Sequence, residues 1–353
     1  MKKSIYTLLI IVMVTLLFTS CEHKELCYKH PHTTKVRIDV DWSKFNKYEV
    51  PTGMTMILYP QYSGELAISH LTNTTTHAIV NLPADRYHVL VFNQSSSEFG
   101  SISFRGMDKQ ETAEVVTNEH KSRWYSVRNE YEKVATDPEW LGVGNFANAE
   151  VTQEMIDAEV EASMMNGNGV TRSGERSIAS ITPVNIVHTV KVKVHINGIQ
   201  NLRSARASLN GMAEGYRLVA MQPTASKATY LMENWKMTRD DADPTKGFIE
   251  ASFTCFGLPD GHQTTADENL LLLSLLLVDN KTTMNYSFSV GDKFIKNTID
   301  GNLEQEAEVY LELQLDLNAI ITLPDVQPEG GTSGGFDAEV EDWGEEEEID
   351  IGV

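Results

Sequence analysis

The chain has 353 residues, with 29 Lys and Arg against 50 Asp and Glu and a formal net charge of −21. So negative a protein is a poor ligand for nucleic acid or an anionic bilayer. Without its first 20 residues it still has room for two domains of ordinary size, each with a core.

Residues 1–20 read as a secretory signal, with Lys2 and Lys3 as the basic start and an almost wholly apolar run from Ile5 to Phe18. That run is too short to cross a bilayer, which takes roughly 20 apolar residues. Thr19 and Ser20 lead straight into Cys21, an arrangement that resembles a bacterial lipoprotein signal, in which a peptidase cuts before the cysteine and its thiol carries a diacylglycerol. Phe18 stands where Leu is commonest in such signals. An ordinary cleaved signal followed by a disulfide cysteine is the alternative reading. On the lipid reading Cys21 is the membrane attachment, and a mature chain without Lys2 and Lys3 has nothing else to hold it there.

Residues 21–32 form a tether. Its Glu22-His23-Lys24-Glu25 stretch resembles a weak surface-export address, and is equally a solvated spacer. His23, Cys27, His30 and His32 raise a metal reading, but no second Cys/His pair follows downstream as a zinc site requires. No metal or cofactor is expected. Cys27 and Cys255 remain, and in an oxidising compartment they can form a disulfide that closes a long loop. Cys255, in "ASFTCFGL", is equally suited to being a small buried hydrophobe.

From residue 33 alternation of period two dominates, the mark of half-buried strands. "TTKVRIDVDW" puts Val36, Ile38, Val40 and Trp42 on one face and Asp39 and Asp41 on the wet one. "RYHVLVFN" is a further strand, and "KSRWYSVRNEYEKVATDPEW" suggests a short helix before Pro138. Trp124, Tyr125, Tyr131 and Trp140 crowd this region, either as a sugar-stacking platform or as filling between sheet and helix. "VTQEMIDAEVEASMMNGNG" reads as a helix capped by Thr152 and stopped at Gly167. "NGNGVTRSGERS" reads as a linker.

Beyond it, "PVNIVHTVKVKVHINGI" predicts one long strand with Val184, Ile186, His188, Val190, Val192, Val194 and Ile196 on the apolar face. His188 is expected as a hydrogen-bonded core histidine. Asp240, Asp241 and Asp243 in "TRDDADPTKG" lack the alternating ligands of a calcium loop and predict a solvated turn. "NLLLLSLLLVDN" predicts a central strand covered on both faces; "NYSFSVGDKF" and "EVYLELQLDL" predict two more. The tail begins with a Gly-rich linker. Phe336, Ala338 and Val340 then alternate with acids, so a last strand is expected to add to a sheet edge, with Glu345–Glu348 deterring other chains.

The expected fold is mainly β: two tandem antiparallel β-sandwich domains, residues 33–177 with a helical insertion and 178–321. A linker and acidic tail over 322–353 complete the chain. No nucleophile elbow, phosphate loop, zincin helix or EF-hand spacing is present in the sequence. An enzyme is not expected.

Three segments together resemble a lipoprotein group of Bacteroidota-type bacteria: "SCEHKELCYKHPH" leading into "KVRIDVDW", "ITPVNIVHTVKVKVHINGI" followed by "ARASLNGMAEGY", and "GGFDAEVEDWGEEEEIDIGV". The group is similar to the fimbrillin superfamily of type V pili, especially its anchor and tip components. The resemblance implies two transthyretin-like sandwiches behind a lipidated cysteine in the outer membrane, facing the cell surface. It implies fimbrillin-like subunits as partners, joined by β-strand addition, and no enzymatic activity. Stalk fimbrillins are trimmed after an arginine in an early loop, whereas Arg172 and Arg176 come late in the first domain. That favours an anchor, tip or accessory role. The alternative is a surface glycan-binding lipoprotein that stacks sugar on Trp124 and Trp140.

Overall fold

A computed structural model describes residues 32–45, 51–165, 176–296, 308–313 and 320–329. The chain clusters into two compact units. One contains 1–95, 108–110 and 143–184, and the other 96–107, 111–142 and 185–353. Both follow the layered β plan expected from the alternation.

In the first unit Thr33–Val40 lies between His77–Pro83, antiparallel, and Arg176–Ile181, parallel. A second sheet runs in the order Val184–Asn185, Gly142–Val151, Asp85–Asn93, Met54–Pro60, Ile68–Thr72. Val36, Ile38 and Val40 from one sheet meet Met54, Met56, Leu58, Tyr87, Val89 and Val91 from the other in one buried core. The period-two pattern of "KVRIDV" thus becomes a face, since successive side chains of a strand point to opposite sides. Asp39, on the other face, accepts from Ser177 at 2.6 Å and from Arg37 at 2.6 Å.

The helix is present as Gln153–Met165, and the Thr152 hydroxyl accepts from the Met155 amide at 3.3 Å. Glu159 on this helix accepts from the Thr34 hydroxyl at 2.5 Å, tying it to the first strand. Gly167, the expected stop, lies outside the described residues.

The second unit packs a four-stranded sheet on a six-stranded one. The first runs Lys227–Met232, Leu202–Ala213, Leu270–Leu277, Thr283–Ser289. The second runs Lys236–Arg239, Lys246–Cys255, His188–Asn197, Glu308–Leu313, Ile295–Lys296, with Ile321–Thr322 also on His188–Asn197. Val190, Val192, Val194 and Ile196 face Leu209, Leu271, Leu273, Leu275 and Tyr230 across a common core. The flanking strands of His188–Asn197 on its 308–322 side are parallel to it.

Three expectations are corrected. The long strand from Pro183 is two: Val184–Asn185 pairs in the first unit's sheet, and a new strand begins at His188 in the second. Asn185 makes the break, its side chain bonding both the Val187 amide and carbonyl, so the backbone leaves the ladder there. The all-leucine strand is central but not covered twice. Leu271, Leu273, Leu275 and Leu277 are buried while Leu270, Leu272 and Leu276 on the other face are half-exposed. No helix precedes Pro138; the segment is turns and two isolated bridges, Glu119 with Ala135 and Val134 with Thr229. There Ser122 accepts from the Trp124 and Tyr125 amides and Glu132 from the Arg128 amide, so side chains satisfy donors that a helix would otherwise use.

The structured chain also runs past residue 322. Ile321 and Leu323 are buried in the second core and Val326 packs on it. Gly198, with φ of +74°, lets the 196–202 turn approach; a Cβ there would sit 2.7 Å from the Leu323 carbonyl oxygen.

Candidate functional site

Strand addition needs an edge with free main-chain groups and nothing that repels a visitor. In the first unit Ile68–Thr72 ends its sheet with Ile, Ser, His, Leu and Thr, and Leu71 is 58% exposed. In the second, Thr283–Ser289 ends the four-stranded sheet with seven uncharged residues. Its Tyr286 and Phe288 rings stack 6.2 Å apart at 12°, half-buried against the core. By contrast Lys236–Arg239, which ends the six-stranded sheet, presents exposed Lys236 and Arg239.

The aromatic residues named from sequence, Trp124, Tyr125, Tyr131 and Trp140, all fall within the second unit. Trp124 lies in the second unit, donates its indole N–H to Glu233, meets the Tyr125 ring edge-on and has the Arg206 guanidinium 5.7 Å from its centroid. Trp140 is half-buried in a separate stretch, where the Pro138 carbonyl accepts from the Thr254 hydroxyl and the Leu141 carbonyl from the Ile186 amide. Tyr131 is 86% exposed and rims a polar cleft of about 270 Å³ with Arg128, Asn129, Lys227 and Glu268. The cleft's charges are largely engaged: Glu132 accepts from Tyr125, Arg128 and Thr229, and Glu268 from Thr265 and Lys227.

Cys255 is fully buried, its thiol accepts from the Gly257 amide at 3.3 Å, and burial pushes its pKa up to about 12. It has no disulfide partner among the described residues. Cys21 and Cys27 lie outside them, so the lipid attachment and the pairing with Cys255 stay expectations. His188 lines a cavity of about 190 Å³ with Tyr216, Pro223, Leu258 and Phe294, at the mouth of the second core rather than sealed inside it. The Asp240–Asp243 segment is the solvated turn expected. Asp240 and Asp243 accept from the amides two residues on, and Asp243 pairs with Lys246 at 3.0 Å. Among the described residues no group of three or more His, Cys, Asp or Glu is placed to hold a metal ion.

One cluster escaped the sequence reading. Glu214, largely buried, receives Lys133 at 2.6 Å and Arg105 at 3.3 Å from strands and loops about a hundred residues away. Burial alone would raise its pKa, but the Lys133 hydrogen bond and the two cations hold it below the usual carboxylate value. It fastens Gly215–Arg217 to Glu114–Thr117 and Ile102–Arg105, a small sheet joining distant parts of the second unit. No spacing in the sequence announces it.

Facing sheets around buried cores, with uncharged edges left at their margins, make this a β-sandwich protein. Residues 20–233, more than half of the chain, match the family described as a domain of unknown function, DUF5119, and the chain belongs to that family. Over 377 aligned residues spanning 100% of both chains it is 20% identical to a candidate fimbrium anchoring subunit, Fim4B, of Bacteroides ovatus. Among solved structures it is similar to a candidate adhesin from Bacteroides ovatus. That match is 17% identical, with a TM-score of 0.56 over 87% of this chain and 98% of the other, and it supports the fold alone. The fimbrial anchor protein Mfa2 from Porphyromonas gingivalis is matched at 12% identity and a TM-score of 0.46, over 79% and 90%.

Proposed function

We propose that this chain is a non-enzymatic lipoprotein of the outer membrane that anchors fimbriae or accompanies them in cell-surface adhesion. The observation that carries the reading is similarity along the whole chain to a candidate fimbrium anchoring subunit. The uncharged edges Ile68–Thr72 and Thr283–Ser289 suit it, because main-chain pairing needs no signature side chains. Cys21 holds the chain to the membrane, and the partners are fimbrillin-like subunits joined by an added strand.

Affinity purification of the protein from its native cell tests the reading. Fimbrillin-like subunits should come down with it, and loss of the gene should change pilus number, length or retention. Recovery instead with a glycan transporter, and polysaccharide binding lost in Trp124→Ala or Trp140→Ala, would establish the sugar-binding alternative. Cys21→Ala should leave the membrane fraction or accumulate uncut; a correctly cleaved mutant that stays membrane-bound would sink the lipid anchor.

A further inference from the structure

The cavity beside His188 belongs wholly to the second unit, and elements far apart in the chain make its walls. Met212 comes from Leu202–Ala213, His188 opens His188–Asn197, and Tyr216 comes from Gly215–Arg217, where it pairs with Pro223. Leu258 and Phe294 come from the turns that follow Lys246–Cys255 and Thr283–Ser289. Met212, Pro223, Leu258 and Phe294 are all buried.

Two more of the lining residues are glycines with positive φ, Gly257 at +91° and Gly261 at +70°. A Cβ at Gly257 would stand 3.4 Å from Cδ2 of His188, and one at Gly261 would stand 3.6 Å from Cδ of Pro223. A side chain at either position would therefore project among the lining groups, and glycine keeps that space clear.

Tyr216 gives the cavity its chemistry. It is only 8% exposed, its ring lies 6.3 Å from that of Phe256, and its hydroxyl makes no hydrogen bond with any described residue. Burial alone pushes its pKa up to about 12, as befits a phenol with no bonding or charged neighbour. Buried polar groups are almost always paired, because leaving one unpaired is costly. The hydroxyl of a cavity-lining residue is thus left for something other than the protein to satisfy.

We propose that this cavity binds a single-ring phenol, whose ring lies against Met212, Leu258 and Phe294 and whose hydroxyl pairs with that of Tyr216. An apolar protein cavity of about 150 Å³ takes up benzene, so about 190 Å³ admits one ring with a few substituent atoms. Aromatic walls and a thioether favour a ring over an aliphatic chain. No Lys, Arg, Asp or Glu lines the cavity, so a charged group would be desolvated there without a counter-charge, and a sugar would press several hydroxyls against apolar walls. The volume holds the ring and no main chain, which selects the free molecule over a tyrosine carried by a peptide. The inference does not rest on the fimbrial reading.

The test uses the chain from Glu22 onward with isotope-labelled methionine methyl groups, para-cresol as the probe, and Met212→Leu to assign the Met212 NMR signal. Para-cresol should shift that signal saturably, with a Kd of about 0.1–1 mM, the range open to so few non-hydrogen atoms. Met54 and Met56, in the core of the first unit, should not move. Tyr216→Phe should weaken para-cresol about 3–10-fold, the net worth of one hydrogen bond, while toluene, which lacks the hydroxyl, should bind parent and variant alike. The thermal unfolding of Tyr216→Phe should match that of the parent, because the hydroxyl bonds nothing in the protein. A Met212 signal that para-cresol leaves unmoved, or that moves only together with Met54 and Met56, would mean that the cavity is not a site for the ring. Para-cresol affinity unchanged in Tyr216→Phe, or a destabilised variant, would mean that the hydroxyl is not the ligand's partner. N-acetyl-tyrosinamide shifting Met212 where para-cresol does not would assign the cavity to a peptide's tyrosine. Each overturns the proposal.

Discussion

Two of the sheet edges in the second unit, Lys236–Arg239 and Thr283–Ser289, differ in a way that separates stability from recognition. Lys236–Arg239 sets a cation at each end, and Lys236 stands 3.5 Å from Glu250 on the neighbouring strand. Thr283–Ser289 offers seven uncharged residues and a half-buried row of Met284, Tyr286 and Phe288. Met237 of the first strand and Met284, Tyr286 and Phe288 of the second pack on the same core. Only the second leaves that face and its outer main-chain groups in a state another strand can use without desolvating a charge. An edge of this kind is either covered or employed.

The largest expected effect concerns what the uncharged edge rests on. Truncation before Ile321 removes two buried core side chains and should leave the second unit unfolded or close to it, whereas truncation after Glu329 should keep a cooperative urea transition. Leu323→Ala alone should cost about 2–5 kcal/mol, the range for deleting a buried aliphatic side chain. A transition unmoved by Leu323→Ala would show that the 320–329 segment is not part of the core. The next effect falls on the edge itself. Tyr286→Lys places a charge in the half-buried row and removes the stack on Phe288; it should cost about 1–2 kcal/mol, a usual range for a partly buried site, yet abolish any strand pairing by a partner at this edge, read as lost co-purification. Retained pairing would move the docking site to another edge.

How far the sequence foretold these edges depends on the range of each interaction. Period-two alternation identified Thr33–Val40 and His188–Asn197 as strands, because burial on one face is written locally in the side chains, and a short continuous apolar run identified Leu270–Leu277. The apolar run misjudged the covering of the leucine strand, since apolar composition does not say whether a second layer arrives to cover the outer face. The Asn185 break in the long strand was legible only as one polar residue among apolar ones. That the uncharged "TMNYSFS" would be an edge and the equally strand-like "FIEASFTC" interior is a matter of topology, decided by partners dozens of residues away. Glu214 was invisible for the same reason: Lys133 and Arg105 find it only after the chain folds.

A smaller effect is the pH dependence of that cluster. Glu214 has its folded-state pKa held below the ordinary 4.5. The stability it contributes is therefore present above that value and is lost as pH falls through the folded pKa. Glu214→Gln should flatten the acid limb of the stability profile below about pH 4.5, the ordinary glutamate value, and lower stability modestly at pH 7. An acid limb identical to that of the parent chain would remove Glu214 from the set of groups that couple folding to pH.

The smallest effect on stability sharpens the edge comparison most. Lys236 and Arg239 are exposed, and an exposed ion pair such as Lys236 with Glu250 is worth only about 0–1 kcal/mol. Lys236→Thr with Arg239→Thr should accordingly move the urea midpoint very little. The changed edge, however, would read Thr-Met-Thr-Thr and resemble the uncharged one, with Met237 half-buried against the core. If the cations are there to refuse strands, the double variant should self-associate at concentrations where the parent chain stays monomeric, seen by light scattering or sedimentation. It should do so even when Tyr286→Lys has closed the other edge. A double variant that remains monomeric would show that the shortness of Lys236–Arg239, four residues against seven, protects that edge without help from its charges.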